Sequence, residues 1–193
     1  TEIYIKLIQQ EINKGNQVLY LLPEIALTIQ IIKRLQNHFG DKVGVFHSNL
    51  NNSERVEVWK SIQGKYSVLL GVRSSVFLPF KRLGLVIVDE EHDSSYKQQQ
   101  PSPRYNARDS VIYLASLFNA KVLLGSATPS IETYYNAKTG KYGFVELLKR
   151  YSDIKLPKID SFDLKKGFLK KEMTGFFSNK LISEISNQLE KNK

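Results

Sequence analysis

Two adjacent carboxylates, Asp89 and Glu90, follow the apolar run Leu83-Gly-Leu-Val-Ile-Val. An apolar strand that ends in acids delivers them to the carboxyl edge of its sheet, where open α/β sheets bind ligands. There the first acid of a pair can hold Mg²⁺, usually through water. The second can polarise a water that attacks a phosphoryl group. By position Asp89 takes the metal role and Glu90 the general-base role. An isolated acidic pair can equally well do no more than end a strand and cap the next element. A second run argues against that reading, because Leu124-Gly-Ser-Ala-Thr-Pro-Ser130 also sets small hydroxyl residues behind a buried segment, with Pro129 placed to open a capped helix. Two strands that present polar groups on one edge are less common by chance than either alone.

The elements that must position these residues are legible as five short apolar runs: Val18 to Leu22, Val43 to Phe46, Val68 to Leu70, Leu83 to Val88 and Val122 to Leu124. They are continuous in hydrophobicity rather than alternating, which predicts a mostly parallel sheet covered on both faces. Helical patterns fill the gaps. In the opening segment Ile3, Ile5, Leu7, Ile8 and Ile12 mix two periods, and Gln9, Gln10 and Glu11 favour a helix that Gly15 ends in a left-handed conformation. A second helix is predicted from near Pro23, with Glu24 on its dipole, a stripe of Ile25, Ile29, Ile32 and Leu35, and a stop near Gly40. A third starts at Asn51 or Asn52, where Asn51 and Glu54 have capping-box spacing, and carries Val56, Trp59 and Ile62, with Trp59 expected in the core. A fourth spans Asn106 to Phe118. This alternation specifies an open α/β sheet with right-handed crossovers. From about Arg150 a stretch rich in Lys, Pro and Asp reads as a linker. Ser178 to Leu189 then recovers helical spacing with Leu181, Ile182, Ile185 and Leu189.

Composition sets outer limits. With 193 residues and 41% hydrophobic content the chain can bury one good core and carry an appendage. It has no cysteine, which excludes disulfides and thiolate zinc sites within the segment, and its three histidines lack metal-ligand spacing. The formal charge of +9 favours a polyanionic partner. A solvated surface is the plain alternative, since ten basic and six acidic residues lie from Arg150 onward and eighteen and thirteen before it. No apolar run approaches the ~20 residues that span a bilayer, so no membrane partner is expected and the cytoplasm is the default compartment.

Asp89-Glu90-Glu91-His92, followed 33 residues later by Gly125-Ser126-Ala127-Thr128-Pro129, resembles motifs II and III of superfamily 2 helicases. Leu21-Leu-Pro-Glu-Ile-Ala-Leu-Thr28 is similar to motif Ia and Gly71-Val-Arg-Ser-Ser75 to motif Ib. His92-Asp-Ser-Ser-Tyr-Lys-Gln-Gln99 with Arg104-Tyr-Asn-Ala-Arg-Asp109 resembles the aromatic-rich loop of the primosomal protein N-prime family of replication-restart helicases. The chain departs from that family at Pro103, where a tryptophan is usual. Thr1-Glu-Ile-Tyr4 resembles the tail of a Gly-Lys-Thr-Glu-Val-Tyr phosphate loop.

That resemblance implies a RecA-like P-loop lobe over residues 1–149 that begins inside its phosphate loop, and a linker and closing helix over 150–193. A zinc module and a second lobe would lie beyond. It implies ATP and Mg²⁺ as cofactors, with Mg²⁺ on Asp89 and Thr1, water activation by Glu90, and coupling through Glu91, His92, Ser126 and Thr128. DNA contact or sensing falls to Pro23, Glu24, Thr28, Arg73 and Ser74, and to Tyr96, Lys97, Gln98, Arg104, Tyr105 and Arg108 of the loop. Tyr96 and Tyr105 could stack a base or could anchor the loop on the protein. The implied partners are single-stranded and branched DNA, single-strand binding protein and primosome proteins, with 3′ to 5′ movement driven by hydrolysis between two lobes. This segment alone is expected to be inactive, since the glycines and lysine of the loop lie outside it. The alternatives are another superfamily 2 translocase or RNA helicase, and a non-catalytic nucleic-acid-binding domain.

Overall fold

β1 (Gln17–Leu21) is apolar on both faces, and a strand of that kind needs cover on both sides. In the computed structural model, which describes residues 2–24, 29–147 and 159–191, it is the middle strand of a five-stranded sheet. β2 (Val43–Phe46), β3 (Val68–Gly71), β4 (Leu83–Asp89) and β5 (Lys121–Gly125) complete the sheet in the order β2-β3-β1-β4-β5, with every pairing parallel. Each predicted run is a strand to within a residue or two. The register sets Asp89 beside Gly125, so the acidic pair and the hydroxyl-rich segment emerge together at the carboxyl edge.

Alternation along β1 divides the core in two. Leu19 and Leu21, with Val86 and Val88 of β4, pack against Val58 of α3 (Asn52–Ser61), the adjacent Ile62, and Val111 and Ala115 of α4 (Ala107–Leu117). Val18 and Tyr20, with Leu85 and Ile87, pack on the other face against Ile5 and Ile8 of α1 (Glu2–Asn13) and Leu35 and Phe39 of α2 (Ile29–Phe39). Gly15 closes the turn after α1 at φ 75° and Gly40 ends α2 at φ 57°, conformations that favour glycine.

Three expectations about these helices change. The described part of α2 begins at Ile29, and Pro23 lies outside regular structure, while Ile25 to Thr28 fall outside the described residues. Ile29 is 72% exposed; the core-facing stripe is instead Ile31, Ile32, Leu35 and Phe39. On α3 the buried position is Val58, joined by Ile62 just past its end, and Trp59 and Val56 are half exposed, because Val58 and Ile62, four residues apart, share the face that meets the sheet. Pro129 does not open α5 (Ile131–Lys138): Ser130 is the N-cap, its hydroxyl accepting from the Thr133 N–H.

The capping box of α3 is as its spacing predicts. The Asn51 side chain accepts from the Glu54 N–H at 2.9 Å, and the Glu54 carboxylate accepts from the Asn51 N–H at 2.8 Å. Asn51→Ala should cost about 1 kcal/mol of stability, measured by denaturant unfolding. A change below about 0.3 kcal/mol would show that this cap is redundant with tertiary packing.

The chain divides into two units, Thr1–Phe144 and Val145–Lys193. The boundary anticipated at residues 149–150 falls outside the described residues. Within the second unit, α6 (Leu164–Leu169) precedes a hairpin of β6 (Met173–Thr174) and β7 (Phe177–Ser178), turned at Gly175 with φ 60°. α7 (Asn179–Lys191) follows, with the Ser178 hydroxyl accepting from the Leu181 N–H. Its stripe of Leu181, Ile182, Ile185 and Leu189 is exposed. No helix among the described residues is long and apolar enough to cross a membrane.

Candidate nucleotide site and its loop

The site is assembled where β4 and β5 end. Asp89, the last residue of β4, is half-buried, and Glu90 after it stands exposed at φ 47°. A glutamate in the left-handed region is uncommon and costs on the order of 1 kcal/mol, so the surrounding fold must impose it. The imposed turn is held by Glu91 N–H donating to the Gly125 carbonyl at 3.1 Å and Asp93 N–H donating to the Glu90 carbonyl at 2.8 Å. It sends Glu90 outward and Glu91 inward.

His92 joins the two strand ends. Its Nδ1 lies 2.8 Å from the Ser126 hydroxyl and its Nε2 3.4 Å from the Thr128 hydroxyl, and the Thr128 N–H donates to Ser126 Oγ at 3.0 Å. Glu90 reaches within 3.7 Å of His92 Nδ1. The imidazole is therefore in contact with both segments, as a relay between them requires.

Glu91 is buried and accepts four hydrogen bonds. They come from Arg108 Nη1 at 2.9 Å, the Ser130 N–H at 2.6 Å, the Thr133 hydroxyl at 2.9 Å and the Ser130 hydroxyl at 3.1 Å. Burial opposes its ionisation, but these donors outweigh it and hold the carboxyl below its ordinary range. Arg108, expected to contact or sense DNA, is engaged in an internal ion pair with a side chain only 14% exposed, its guanidinium neutralising a carboxylate that the β4 turn forces inside.

The loop from Asp93 to Asp109 is more ordered than its polar sequence suggests. Asp93 caps a short 3₁₀ turn over Ser94–Tyr96, accepting from the Ser95 N–H. Lys97 and Asn106 then pair as an isolated antiparallel bridge. Between them the Gln98 amide donates to the carbonyls of Pro101 at 2.7 Å and Pro103 at 3.1 Å, and the Lys97 ammonium donates to the Arg104 carbonyl. Arg73 of the 3₁₀ segment Arg73–Phe77 braces the loop from below through the carbonyls of Ser95 and Lys97.

Tyr96, expected as a possible base-stacking residue, is 1% exposed and donates its hydroxyl to the Asp89 carbonyl at 2.6 Å, so its ring fills the core and its polar tip supports the acidic turn. Tyr105 is half-buried edge-on against Phe77, with ring centroids 4.9 Å apart. Both rings thus pack on the protein, Tyr96 wholly and Tyr105 in part. Pro23, expected to contact or sense DNA, is also buried, two residues past the end of β1. Glu24, Ser74, Lys97 and Arg104 remain exposed, and Glu24, Arg73 and Ser74 line one shallow pocket with Ser48 and Ser95. Thr1 and Thr28 lie outside the described residues.

Sequence reading missed Tyr4, Tyr20, Ser130 and Thr133. Tyr20 was hidden in an apolar run, yet a tyrosine buried in a central strand needs a partner for its hydroxyl, and a parallel neighbour ending in Asp89 offers one. Ser130 and Thr133 carried the N-cap spacing of α5, which signals a helix start and hides their second duty toward Glu91.

Residues 1–137 match the DEAD/DEAH box helicase family. The chain is 43% identical over 191 residues to Replication restart protein PriA of Chlamydia trachomatis, covering 98% of this chain and 25% of that protein. It is 45% identical over 194 residues to the protein of that name from Rickettsia felis, covering 100% of this chain and 30% of the relative. The Haemophilus influenzae protein is 48% identical over 151 residues, covering 78% of this chain and 20% of its own length. The chain thus spans less than a third of each of these relatives. Its parallel sheet, flanked by helices on both faces and bearing Asp-Glu-Glu-His and Gly-Ser-Ala-Thr at one edge, is a RecA-like lobe, and the chain belongs to the DEAD/DEAH box helicase family.

Proposed function

We propose that this chain is the first motor lobe of an ATP-dependent DNA helicase that moves 3′ to 5′ in replication restart. The observation that carries the reading is the joined edge: the strand end bearing Asp89 and Glu90 is tied through His92, whose Nδ1 lies 2.8 Å from the Ser126 hydroxyl, to the segment just after the neighbouring strand. A metal carboxylate, a candidate base and a relay then share one surface.

The donor set fits a nucleotide-bound Mg²⁺. Asp89 and Glu90 are hard oxygen ligands or water acceptors at a sheet edge, and oxygen donors are what Mg²⁺ prefers. Bound there, the ion would neutralise charge on the transferring phosphoryl group. Glu90 would accept a proton from the attacking water, its outward turn leaving the carboxylate free to reach it. His92 would report the state of that carboxylate to Ser126 and Thr128, whose segment runs into α5. The exposed cations Lys97 and Arg104, with Ser74 and Glu24, would meet single-stranded DNA, and Arg73 would keep their loop in place. In the whole protein, branched DNA, single-strand binding protein and primosome proteins are the proposed partners, and the cytoplasm the proposed site of action.

The test is Mg-ATP hydrolysis by the full-length protein against increasing single-stranded DNA. Strong stimulation by DNA and weaker stimulation by RNA is expected; turnover indifferent to both would overturn the reading. Arg104→Ala should weaken DNA binding several-fold and lower the slope of log affinity against log salt by about 0.7, as loss of one phosphate contact to a single strand does. Saturating DNA should restore the maximal rate. An unchanged salt slope would remove Arg104 from the DNA surface.

A further inference from the structure

Asp89 is held by tyrosines from three separate elements. Tyr20, fully buried on β1, donates its hydroxyl to Oδ2 at 2.9 Å, and Tyr4, half-buried on α1, donates to Oδ1 at 3.1 Å. Tyr96 donates to the backbone carbonyl of the same residue. The rings of Tyr4 and Tyr20 meet edge to face with centroids 5.5 Å apart, so each fixes the other.

Gly125 belongs to the same arrangement. A Cβ built at Gly125 would lie 2.0 Å from the Tyr4 hydroxyl and 3.2 Å from its ring carbon Cζ. The glycine leaves the gap through which the phenol reaches Asp89. The Tyr4 hydroxyl, carried by α1, therefore meets both the acid at the end of β4 and the glycine at the end of β5.

We propose that Tyr4 and Tyr20 are positioning residues that fix the Asp89 carboxylate for the metal of the nucleotide, and that Gly125 serves to admit the Tyr4 hydroxyl. The inference rests on the nucleotide-site reading above. A carboxylate offers about four lone-pair positions, and the two phenols and the Glu90 N–H, which donates to Oδ1 at 3.2 Å, occupy up to three of them. The carboxylate plane is thereby set, with its remaining capacity directed to the open sheet edge. Without a phenol it can rotate into contacts that a metal-bound water cannot share. Partners of this kind behind a metal ligand typically contribute 10- to 100-fold in affinity, so a loss of about tenfold is expected for each.

The full-length protein can be titrated with Mn²⁺ and ADP, Mn²⁺ serving as a paramagnetic stand-in for Mg²⁺, with metal binding read by electron paramagnetic resonance. Tyr20→Phe and Tyr4→Phe should each weaken Mn²⁺–ADP binding about tenfold. Both keep the ring, and Tyr4→Phe, half-buried, supplies the answer should Tyr20→Phe fold poorly. Gly125→Ala should weaken binding as Tyr4→Phe does, and adding it to Tyr4→Phe should cost little more, since the clashing hydroxyl is gone. Unchanged or tighter Mn²⁺ binding in both Phe variants, with Asp89→Asn still abolishing it, would overturn the positioning role alone. Mn²⁺ binding that survives Asp89→Asn at full strength would overturn the nucleotide-site reading and this inference together.

Discussion

Glu90→Gln in the full-length protein should leave nucleotide binding nearly intact and lower DNA-stimulated ATP turnover by about 10²-fold or more, the usual size of a lost general base. Three features of the turn carry the expectation. Glu90 sits one residue beyond Asp89, the proposed metal carboxylate, so a terminal phosphate held through that metal would lie within its reach. Its φ of 47° is a conformation the backbone adopts at a cost, imposed by hydrogen bonds on both sides, and it aims the side chain away from the core. Its carboxylate has His92 Nδ1 at 3.7 Å and is half exposed, so no buried salt bridge holds it for structure. Glutamine keeps the length and the backbone preference but cannot take a proton, so the thermal midpoint should move little. Asp89→Asn is the contrast: it should lower nucleotide affinity and turnover together, because it removes charge from the proposed metal position itself. Unchanged turnover in Glu90→Gln would take the base role away from this residue.

The five strands were legible because a parallel sheet between two helical layers needs strands apolar on both faces, and runs such as Leu83 to Val88 satisfy that with no polar interruption. The α3 cap was legible because a capping box is local chemistry over four residues. Asp89, Glu90 and their neighbours on β5 could be placed on one edge because strand ends in a parallel sheet point the same way. The fates of Trp59, Tyr96 and Arg108 were not legible, since each depends on contacts far along the chain. Tyr96 is internal because the 3₁₀ turn capped by Asp93 folds it back under the Asp89 carbonyl. Seventeen largely polar residues look like a mobile loop until Gln98 and Arg73 are seen to satisfy the carbonyls of that same segment. Nothing in the local pattern around Arg108 reveals that Glu91, 17 residues earlier, is buried and needs a cation.

That burial sets the second large expectation: Arg108→Ala should destabilise the lobe by about 3–5 kcal/mol, the range seen when one partner of a buried ion pair is removed. For a domain of this size that corresponds to a fall in Tm of roughly ten degrees. The cost arises because Glu91 stays inside, with the Ser130 and Thr133 donors left to support a carboxylate that has lost its counter-charge. Glu91→Gln should cost less, since it removes the buried charge while Arg108 keeps its contact with Asp109. The pair should therefore show strong coupling in a double-mutant cycle, with the double variant less damaged than the sum of the two. The pH dependence follows from the depressed Glu91 carboxyl. A group held below its unfolded value contributes stability that is complete above the unfolded value and is lost as pH falls through the folded one, so the wild type should lose this contribution only on acidification. Arg108→Ala should flatten that acid limb, since it removes one of the hydrogen-bonding donors that hold the carboxyl down. If Arg108 were instead a phosphate contact, Arg108→Ala would keep the wild-type Tm and lose DNA affinity, with a shallower salt dependence. Thermal unfolding and DNA titration of the same variant therefore separate a buried strut between the acidic turn, α4 and α5 from a residue that touches DNA.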